Sequence, residues 1–264
     1  MRIPFAQIDA FAEAAFEGNP AAVMPLSAWL DDATLQKIAR ENNLSETAFL
    51  VPDASGAADF ELRWFTPAAE VALCGHATLA SGHFVLSSDT TRARVTFCTR
   101  QAGVLEVARE GAGYAMGLPA WTPAPRDMPE IVAALGVEPV ETLWHEKGYA
   151  LVVVEGEAAV RAARPDGRAV AALGPYVLIV AARGETAEIV SRVFTHYFDI
   201  PEDPVTGSAH AVMVPYWARL LGRDTFSAYQ ASARGGHVGC RLAGDRVVLT
   251  GGCVTVIEGT FLLP

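Results

Sequence analysis

The chain has 264 residues, of which 51% are hydrophobic, so it is long enough for two domains with sizeable cores and is not expected to be disordered. Its formal net charge of −10, from 30 acidic and 20 basic residues, disfavours a nucleic-acid partner. Lys occurs only at positions 37 and 147, so no basic cluster opposes that conclusion.

The first nine residues meet an acidic residue early and are typical of a strand rather than a signal peptide. No apolar stretch is long enough to cross a bilayer, so no membrane partner is expected. The four cysteines, at positions 74, 98, 240 and 253, have neither CxxC spacing nor the density of a disulfide framework. Reduced thiols in a cytoplasmic protein are the simplest interpretation.

Strand patterns dominate the chain, because β-branched and aromatic residues alternate with polar ones in several segments. The predicted strands of the first half cover residues 3–11, 48–51, 60–65, 94–99, 103–109 and 113–118. Those of the second half cover residues 142–144, 149–154, 176–182, 188–194, 238–242, 246–250 and 253–258. Glycine turns at 110–113 and 243–245 indicate antiparallel hairpins.

Helical patterns are fewer. One covers Asp32–Asn42 and can be capped by Asp31 or Asp32, and another covers residues 128–135 and ends at Gly136. Two further helices follow glycine turns and are apolar nearly all round, which is typical of helices buried in a core. The proline-dense segment 118–125 predicts a linker between two halves.

The two glycine turns are near-copies of one pattern. Cys74-Gly75-His76-Ala77-Thr78 and Thr206-Gly207-Ser208-Ala209-His210 place their glycines 132 residues apart, half the length of the chain. A glycine turn that leads into a helix leaves backbone N–H groups unpaired at the positive end of the helix dipole, which suits an anion. The pair therefore predicts a duplicated fold that holds one anionic ligand between its copies, with coincidence of composition as the alternative.

Several kinds of site are disfavoured. The six histidines form no H-E-x-x-H and no cysteine pair has zinc spacing, so no metal site is predicted. No G-x-G-x-x-G lies between a strand and a helix and no Walker motif occurs, so no nucleotide cofactor is expected. Ser208 lacks the second glycine of a nucleophile elbow, and ligand binding or helix capping explains it better.

Two acidic residues are candidates for chemistry. Glu46 lies in a polar turn that enters an apolar strand, where capping by Ser45 or simple solvation explains it equally. Asp203 precedes a proline, which fits an Asx-type turn as well as a site. It also stands four residues before Gly207, so its carboxylate would approach whatever the helix end holds.

Five segments in order resemble the PhzF-like family, named for the isomerase of phenazine biosynthesis, within the diaminopimelate-epimerase fold. They are Ile8–Phe11 with Gly18–Val23, Asn43–Phe49, Arg63–Pro67 leading to Leu73–Leu79, Glu202–Ala209, and a closing Gly251-Gly252 with Gly259. The resemblance covers residues 8–259, essentially the whole chain. It implies an α+β fold of two similar domains, each a mostly antiparallel, barrel-like sheet around a central helix.

The family fold also implies domain limits and a site. Residues 1–117 would form the first half, with the strand 254–264 crossing back to it, and residues 118–253 would form the second. The active-site cleft is expected between the two halves. Family members are often homodimers, and exposed antiparallel edges are compatible with a homodimer here.

By resemblance, the function is a cofactor-independent isomerase that moves a proton between carbons of a small carboxylated substrate. Glu46 matches the residue that moves the proton, and His76 and Asp203 are assigned to catalysis beside it. The substrate-binding positions are expected to be Gly75, Gly207, Ser208, Cys74, Thr206 and Arg234. Removal of a carbon-bound proton needs a base whose environment strengthens it and fixed donors for the developing charge, and these residue types supply both.

Two other functions use the same residues. A racemase or epimerase of this fold carries a cysteine at each glycine turn; Cys74 fits that pattern, but Thr206 occupies the second turn. A metabolite-binding protein without turnover could retain the same cleft. The first turn and the segment 230–236 depart from the phenazine enzyme, so the reaction class and not the phenazine pathway is what the resemblance implies. Arg234 in that segment is either a carboxylate ligand or a solvated loop residue.

Overall fold

A computed structural model describes residues 1–263. The chain divides into two compact units, of which the first comprises Met1–Gly117 with Thr250–Pro264 and the second comprises Leu118–Leu249. The sequence placed these limits at 117 and 253. Among the described residues, no helix is both long and apolar enough to cross a membrane.

The first unit is a set of twisted strands around one buried helix. Its elements are β1 (Arg2–Ala10), β2 (Asn19–Pro25), α1 (Asp32–Asn42), β3 (Glu46–Pro52), β4 (Phe60–Phe65), β5 (Glu70–Val71), α2 (Gly75–Ser88), β6 (Arg94–Thr99), β7 (Val104–Glu110), β8 (Gly113–Pro119) and β18 (Cys253–Leu262). Helix α2 packs against β1, β2, β3, β6 and β7, so it is the central helix of this unit.

The second unit repeats that arrangement. Its elements are β9 (Ala124–Pro125), α3 (Pro129–Leu135), β10 (Pro139–His145), β11 (Tyr149–Val154), α4 (Gly156–Ala162), α5 (Gly167–Ala172), β12 (Val177–Arg183), β13 (Ile189–Thr195), β14 (Ile200–Asp203), α6 (Gly207–Leu221), β15 (Thr225–Gln230), β16 (Gly236–Ala243) and β17 (Arg246–Gly251). Helix α6 contacts β11 and β16 and is buried along most of its length.

The strand pairings follow the same order in both units. In the first unit β1–β2 is antiparallel, β2–β3 parallel, β3–β4 antiparallel, β4–β6 parallel and β6–β7 antiparallel. In the second unit β10–β11, β11–β12, β12–β13, β13–β15 and β15–β16 alternate in the same way. The sheets are therefore mostly antiparallel with two parallel pairings in each unit, and those parallel pairings could not be inferred from hairpin turns.

Burial explains why the two glycine-turn helices are so apolar. Leu79, Ala80 and Leu86 of α2 are buried, as are Met213 and Val214 of α6, because strands cover these helices on several sides. A Cβ atom at Gly82 would collide with the Val107 side chain of β7, so glycine lets α2 lie close to that strand. The close packing fixes the depth at which the first turn of α2 lies.

Most sequence-predicted elements agree with the structure to within a few residues. Helix α1 begins at Asp32, with the Asp31 carboxylate accepting a hydrogen bond from the Thr34 N–H, and Gly136 ends α3. The strands β2, β5, β9, β14 and β15 and the short helices α4 and α5 were not predicted. Ala and Pro make up most of β2, and α4 and α5 are too short to show a clear 3.6-residue period.

Candidate active site

Glu46 and His76 meet at the amino-terminal end of the central helix of the first unit. Glu46 is the first residue of β3 rather than part of the preceding turn, and His76 is the second residue of α2. The Oε2 atom of Glu46 lies 3.0 Å from Nε2 of His76, and the two side chains are 13% and 4% exposed. The two atoms are within ion-pair distance but are not aligned as a hydrogen bond, which is common for catalytic groups before a substrate binds.

The other ring nitrogen of His76 faces Asn19 and Cys74. The Asn19 Nδ2 atom lies 3.2 Å from Nδ1 of His76, and the Cys74 Sγ atom lies 3.5 Å from it. Asn19 is the first residue of β2 and is fully buried. Both imidazole nitrogens therefore have polar neighbours, and the orientation of the ring is fixed by contacts on two sides.

The charges in this cluster follow from burial and proximity. Burial, with a further contribution from the carboxylate of Glu46, raises the pKa of the Cys74 thiol to about 11. Burial by itself would lower the pKa of His76, but the contacts of its ring with Cys74 and Glu46 outweigh burial and raise that pKa well above 6.5. Because the thiol is neutral at neutral pH, the negative charge that acts on His76 is the carboxylate of Glu46. The cluster is thus a carboxylate beside an imidazolium and a neutral thiol.

Glu46, Cys74 and His76 also carry atoms of the kinds that bind zinc, and one such atom from each lies within 4.8 Å of the others. A metal ion takes the lone pair of a single imidazole nitrogen. Here the carboxylate lies at Nε2 and the thiol lies nearer Nδ1, so the three side chains would have to rearrange to surround an ion. The observed arrangement fits a chain of proton-exchanging groups better than a metal centre.

The first turn of α2 is free of side-chain caps. Cys74 is the N-cap residue, its side chain makes no capping hydrogen bond, and the first turn carries no acidic residue. The N–H groups of Gly75 and His76 have no acceptor within the helix, since the first four N–H groups of a helix never do. They give this end of the helix a partial positive charge directly beside the Glu46–His76 contact.

In the second unit, Asp203 and Thr206 are joined across the turn that leads into α6. The Thr206 hydroxyl donates to Oδ2 of Asp203 at 2.6 Å. The side chain of Gln230, at the end of β15, spans the same turn: its Nε2 donates to the carbonyl oxygen of Asp203 at 2.6 Å, and its Oε1 accepts from the Thr206 N–H at 2.9 Å. Gln230 is fully buried.

The remaining predicted positions of this unit lie close along the chain. Thr206 is the N-cap of α6 without a capping hydrogen bond from its side chain, and Gly207 and the half-buried Ser208 form the first turn. Ser208 is therefore not the cap of this helix. Arg234 lies in the turn between β15 and β16, which is fastened to the Asp203–Thr206 turn by a hydrogen bond from the Ser232 hydroxyl to the Pro204 carbonyl at 2.9 Å.

The sequence-predicted site thus falls into two groups, one in each unit. Glu46, Cys74, Gly75 and His76 lie together in the first, and Asp203, Thr206, Gly207 and Ser208 in the second, with Arg234 on an adjoining turn. That one cleft unites the two groups stays a prediction.

Sequence reasoning gave no role to Asn19 or Gln230. The signal for Gln230 was a polar residue at the inward-facing end of an alternating strand, where Phe226 and Ala228 are buried.

Comparisons with known proteins agree with this architecture. A solved hydroxyproline epimerase from Agrobacterium vitis superposes with a TM-score of 0.63 at 12% identity, over 98% of this chain and 92% of that one, which shows a shared fold. The predicted epimerase-like fold is confirmed. The model of the phenazine biosynthesis-like family, PhzC-PhzF, matches residues 8–259, and the chain belongs to that family.

Two relatives match the chain from end to end. An uncharacterised isomerase of Pseudomonas aeruginosa is 45% identical over 100% of both chains. The crystal structure of a PhzF-family phenazine biosynthesis protein from Enterococcus faecalis superposes with a TM-score of 0.92 at 41% identity, again over 100% of both chains. The prediction of a PhzF-family isomerase is confirmed at this level.

Proposed function

We propose that the protein moves a proton between two carbon atoms of a small carboxylic acid, with Glu46 as the acid–base group. The observation that carries the proposal is the 3.0 Å contact between Glu46 and His76 beside the uncapped end of α2. A carboxylate poised against an imidazolium places a proton acceptor and a proton donor side by side. These are the two functions that a proton shift between carbons requires.

The reaction needs a group that removes a proton from carbon and then returns one. In the proposal an oxygen of Glu46 takes the proton, and the electron pair left on that carbon moves into the conjugated system toward the substrate carboxylate. Return of a proton at a different carbon completes the isomerisation, with no change in oxidation state. Glu46 remains partly exposed, which leaves the carboxylate accessible to a substrate, whereas His76 is buried behind it.

The negative charge that develops on the substrate carboxylate needs fixed donors. The uncapped first turn of α2 provides backbone N–H groups, and the first turn of α6 provides others together with the Ser208 hydroxyl. Neither first turn contains an acidic residue that would repel an anion. Binding of one substrate by both turns is part of this proposal, with Asp203 and Arg234 as further contacts.

The state of Cys74 supports a glutamate base over a thiolate base. A two-base racemase needs thiols of lowered pKa, whereas burial and Glu46 raise the pKa of Cys74 to about 11. The corresponding position of the second unit is Thr206, whose hydroxyl already donates to Asp203. A threonine hydroxyl cannot serve as the equivalent base.

The test is a screen of small unsaturated and α-substituted carboxylic acids in deuterated water, read by mass spectrometry. The wild-type protein should introduce deuterium at carbon into at least one acid, and Glu46→Gln should reduce that rate by about 10²-fold or more. Glu110→Gln is the matched control, since Glu110 is an exposed residue of β7, and it should exchange at the wild-type rate.

A Cys74→Ala variant separates the two chemistries. Retained exchange agrees with Glu46 as the base, and complete loss with Glu46→Gln still active would replace the proposal by thiol chemistry. A protein that binds an acid from the panel without exchange in any variant would be a binding protein and not an isomerase of these acids.

A further inference from the structure

The turn before α6 is held by a side-chain network that, in the part of the chain that the structure describes, has no equivalent in the turn before α2. Gln230 bonds both ends of the Asp203–Thr206 turn, through the Asp203 carbonyl and the Thr206 N–H. Its Nε2 also lies 3.2 Å from the Thr206 hydroxyl oxygen, and that hydroxyl donates to the Asp203 carboxylate. One amide side chain thus fixes the backbone of the turn and, through Thr206, the direction of a carboxylate.

The register of the duplicated strands shows which residues are equivalent. In the first unit β5 pairs with β4 through Phe65–Glu70 and Trp64–Val71, and in the second β14 pairs with β13 through Phe194–Glu202 and Val193–Asp203. Asp203 therefore occupies the position of Val71.

The parallel pairings give the second equivalence. Leu62 faces Thr99 in the first unit, and Ser191 faces Gln230 in the second. Gln230 therefore occupies the position of Thr99, whose hydroxyl instead donates to the Gly103 carbonyl within a tight turn. The first unit forms the equivalent turn and helix with Val71 and Thr99 in place of Asp203 and Gln230. A turn and helix of this kind therefore do not require an aspartate and a glutamine at these positions.

We propose that Gln230 is a positioning residue for Asp203, acting through Thr206. The inference rests on the proposed function, in which Asp203 contacts the substrate. A glutamine suits this task because its amide carries a donor and an acceptor, which satisfy a carbonyl and an N–H of the same turn at once. Complete burial makes each of these bonds costly to leave unmade.

Amide hydrogen exchange measured by NMR on the free protein tests the holding of the turn. Gln230→Leu should speed exchange at the Thr206 amide at least tenfold relative to wild type, because the acceptor of that N–H is removed. Ser191→Ala is the matched control: Ser191 faces Gln230 on β13, is buried, and its hydroxyl has no hydrogen-bond partner within residues 1–263. Unchanged exchange at Thr206 in Gln230→Leu would overturn the inference.

Substitutions at Thr206 test whether the orientation of Asp203 matters for catalysis, because serine is a conservative replacement that keeps the hydroxyl. Thr206→Val deletes the hydroxyl bonded to Asp203, whereas Thr206→Ser keeps it. For the acid found in the deuterium screen, Thr206→Val should lower kcat about tenfold or more with a smaller change in KM, and Thr206→Ser should stay within about threefold of wild type. Equal kcat for the valine and serine variants would show that the network is only structural.

The two hypotheses fail in different ways. If Glu46→Gln keeps full exchange activity, the proposed base is wrong, and the amide exchange of Thr206 still decides whether Gln230 holds the turn. If Glu46→Gln is inactive but Thr206→Val turns over like Thr206→Ser, the proposed base stands and the positioning role is rejected. If Gln230→Leu does not fold, the valine and serine pair at Thr206 still decides whether the Thr206 hydroxyl, through which Gln230 acts, positions Asp203.

Discussion

Two buried histidines near the starts of α2 and α6 have opposite protonation behaviour. His76 lies against the Glu46 carboxylate, and its pKa is raised well above 6.5. Burial lowers the pKa of His210 to about 4, and the hydrogen bond of its Nδ1 to the Thr206 carbonyl at 2.8 Å offsets this only in part. The second residue of α2 is thus a charged imidazole and the fourth residue of α6 a neutral one, and the carboxylate beside His76 accounts for the charge.

The charge of His76 predicts a pH dependence of stability. A folded-state pKa above the unfolded value of about 6.5 gives stability that is fully present below that value and is lost as pH rises through the folded-state pKa. The free energy of unfolding, measured with urea at several pH values, should therefore fall as pH rises above about 7. Glu46→Gln should flatten this dependence. An equally steep slope in Glu46→Gln would mean that Glu46 is not the cause of the raised pKa.

The sequence alone identified the site residues that stand in short motifs. It did not identify Asn19 and Gln230, which contact those residues from distant parts of the chain. Glu46 and His76 were found because their segments resemble the family motifs. Asn19 reaches His76 across 57 positions of the chain and Gln230 reaches Asp203 across 27, and single-sequence spacing does not reveal such contacts. The thiol at position 74 was predicted to line the site, but its neutral state follows from burial beside Glu46, which only the folded chain shows.

At the scale of elements, each of the two glycine turns, which lead into α2 and α6, is preceded by an Arg–Glu ion pair. Arg63 of β4 binds Glu70 of β5 through Nε and Nη2 at 2.7 and 2.8 Å, and Arg192 of β13 binds Glu202 of β14 through the same atoms at 2.7 and 2.9 Å. Each guanidinium also lies over the ring of the phenylalanine two residues further on. Each glutamate stands four residues before the N-cap of its helix, so the pair fixes the strand that enters the turn.

Loss of such a pair is expected to destabilise the fold. Arg63 is 3% exposed, so Arg63→Met leaves the Glu70 carboxylate without its bidentate partner and should lower the free energy of unfolding by about 2–3 kcal/mol. The value is below that of a fully buried pair, because Glu70 is 27% exposed. Arg94→Met is the control, since Arg94 and Glu106 form an exposed pair at 3.6 Å, and urea unfolding should hardly change. Equal effects of the two substitutions would contradict a structural role for the buried pair.

The sequence predicted the two central helices and the antiparallel hairpins, but it gave no indication of the parallel pairings β2–β3, β4–β6, β11–β12 and β13–β15. Both central helices were recognised from a glycine turn followed by an apolar segment, since that pattern is local. The repeated Arg-x-Phe-Thr segments at 63–66 and 192–195 carry the duplication more specifically than the glycine turns, because each Arg has its own Glu downstream. The sequence alone does not show these contacts, because they depend on the pairing of β5 with β4 and of β14 with β13.

At the scale of the whole molecule, the first unit is built from both ends of the chain. β18 pairs antiparallel with β1 over their full lengths, from Arg2–Leu262 to Ala10–Cys253, with one irregularity after Gln7. Phe261 packs against the hydrophobic cluster that contains Ile3 and Phe49. The terminal N–H of Met1 also donates to the Leu263 carbonyl, so the two ends of the described chain lie together. A homodimer stays a prediction, which the solution mass would decide.

Because β18 pairs with β1 along its full length, we expect the first unit to need this last strand in order to fold. We expect the position of the chain ends to matter little, provided that every strand is kept. A chain that stops at Leu249 lacks β18, leaves one edge of β1 unpaired and exposes part of the first core, so cooperative unfolding of the first unit should be lost. The matched variant is a circular permutant that joins the ends through about three glycines and opens between Gly111 and Ala112, in the exposed turn of the β7–β8 hairpin. It keeps every strand, so circular dichroism and urea unfolding should show one near-native transition. A stable truncated chain, or an unfolded permutant, would mean that the covalent order of the strands matters more than the β1–β18 pairing.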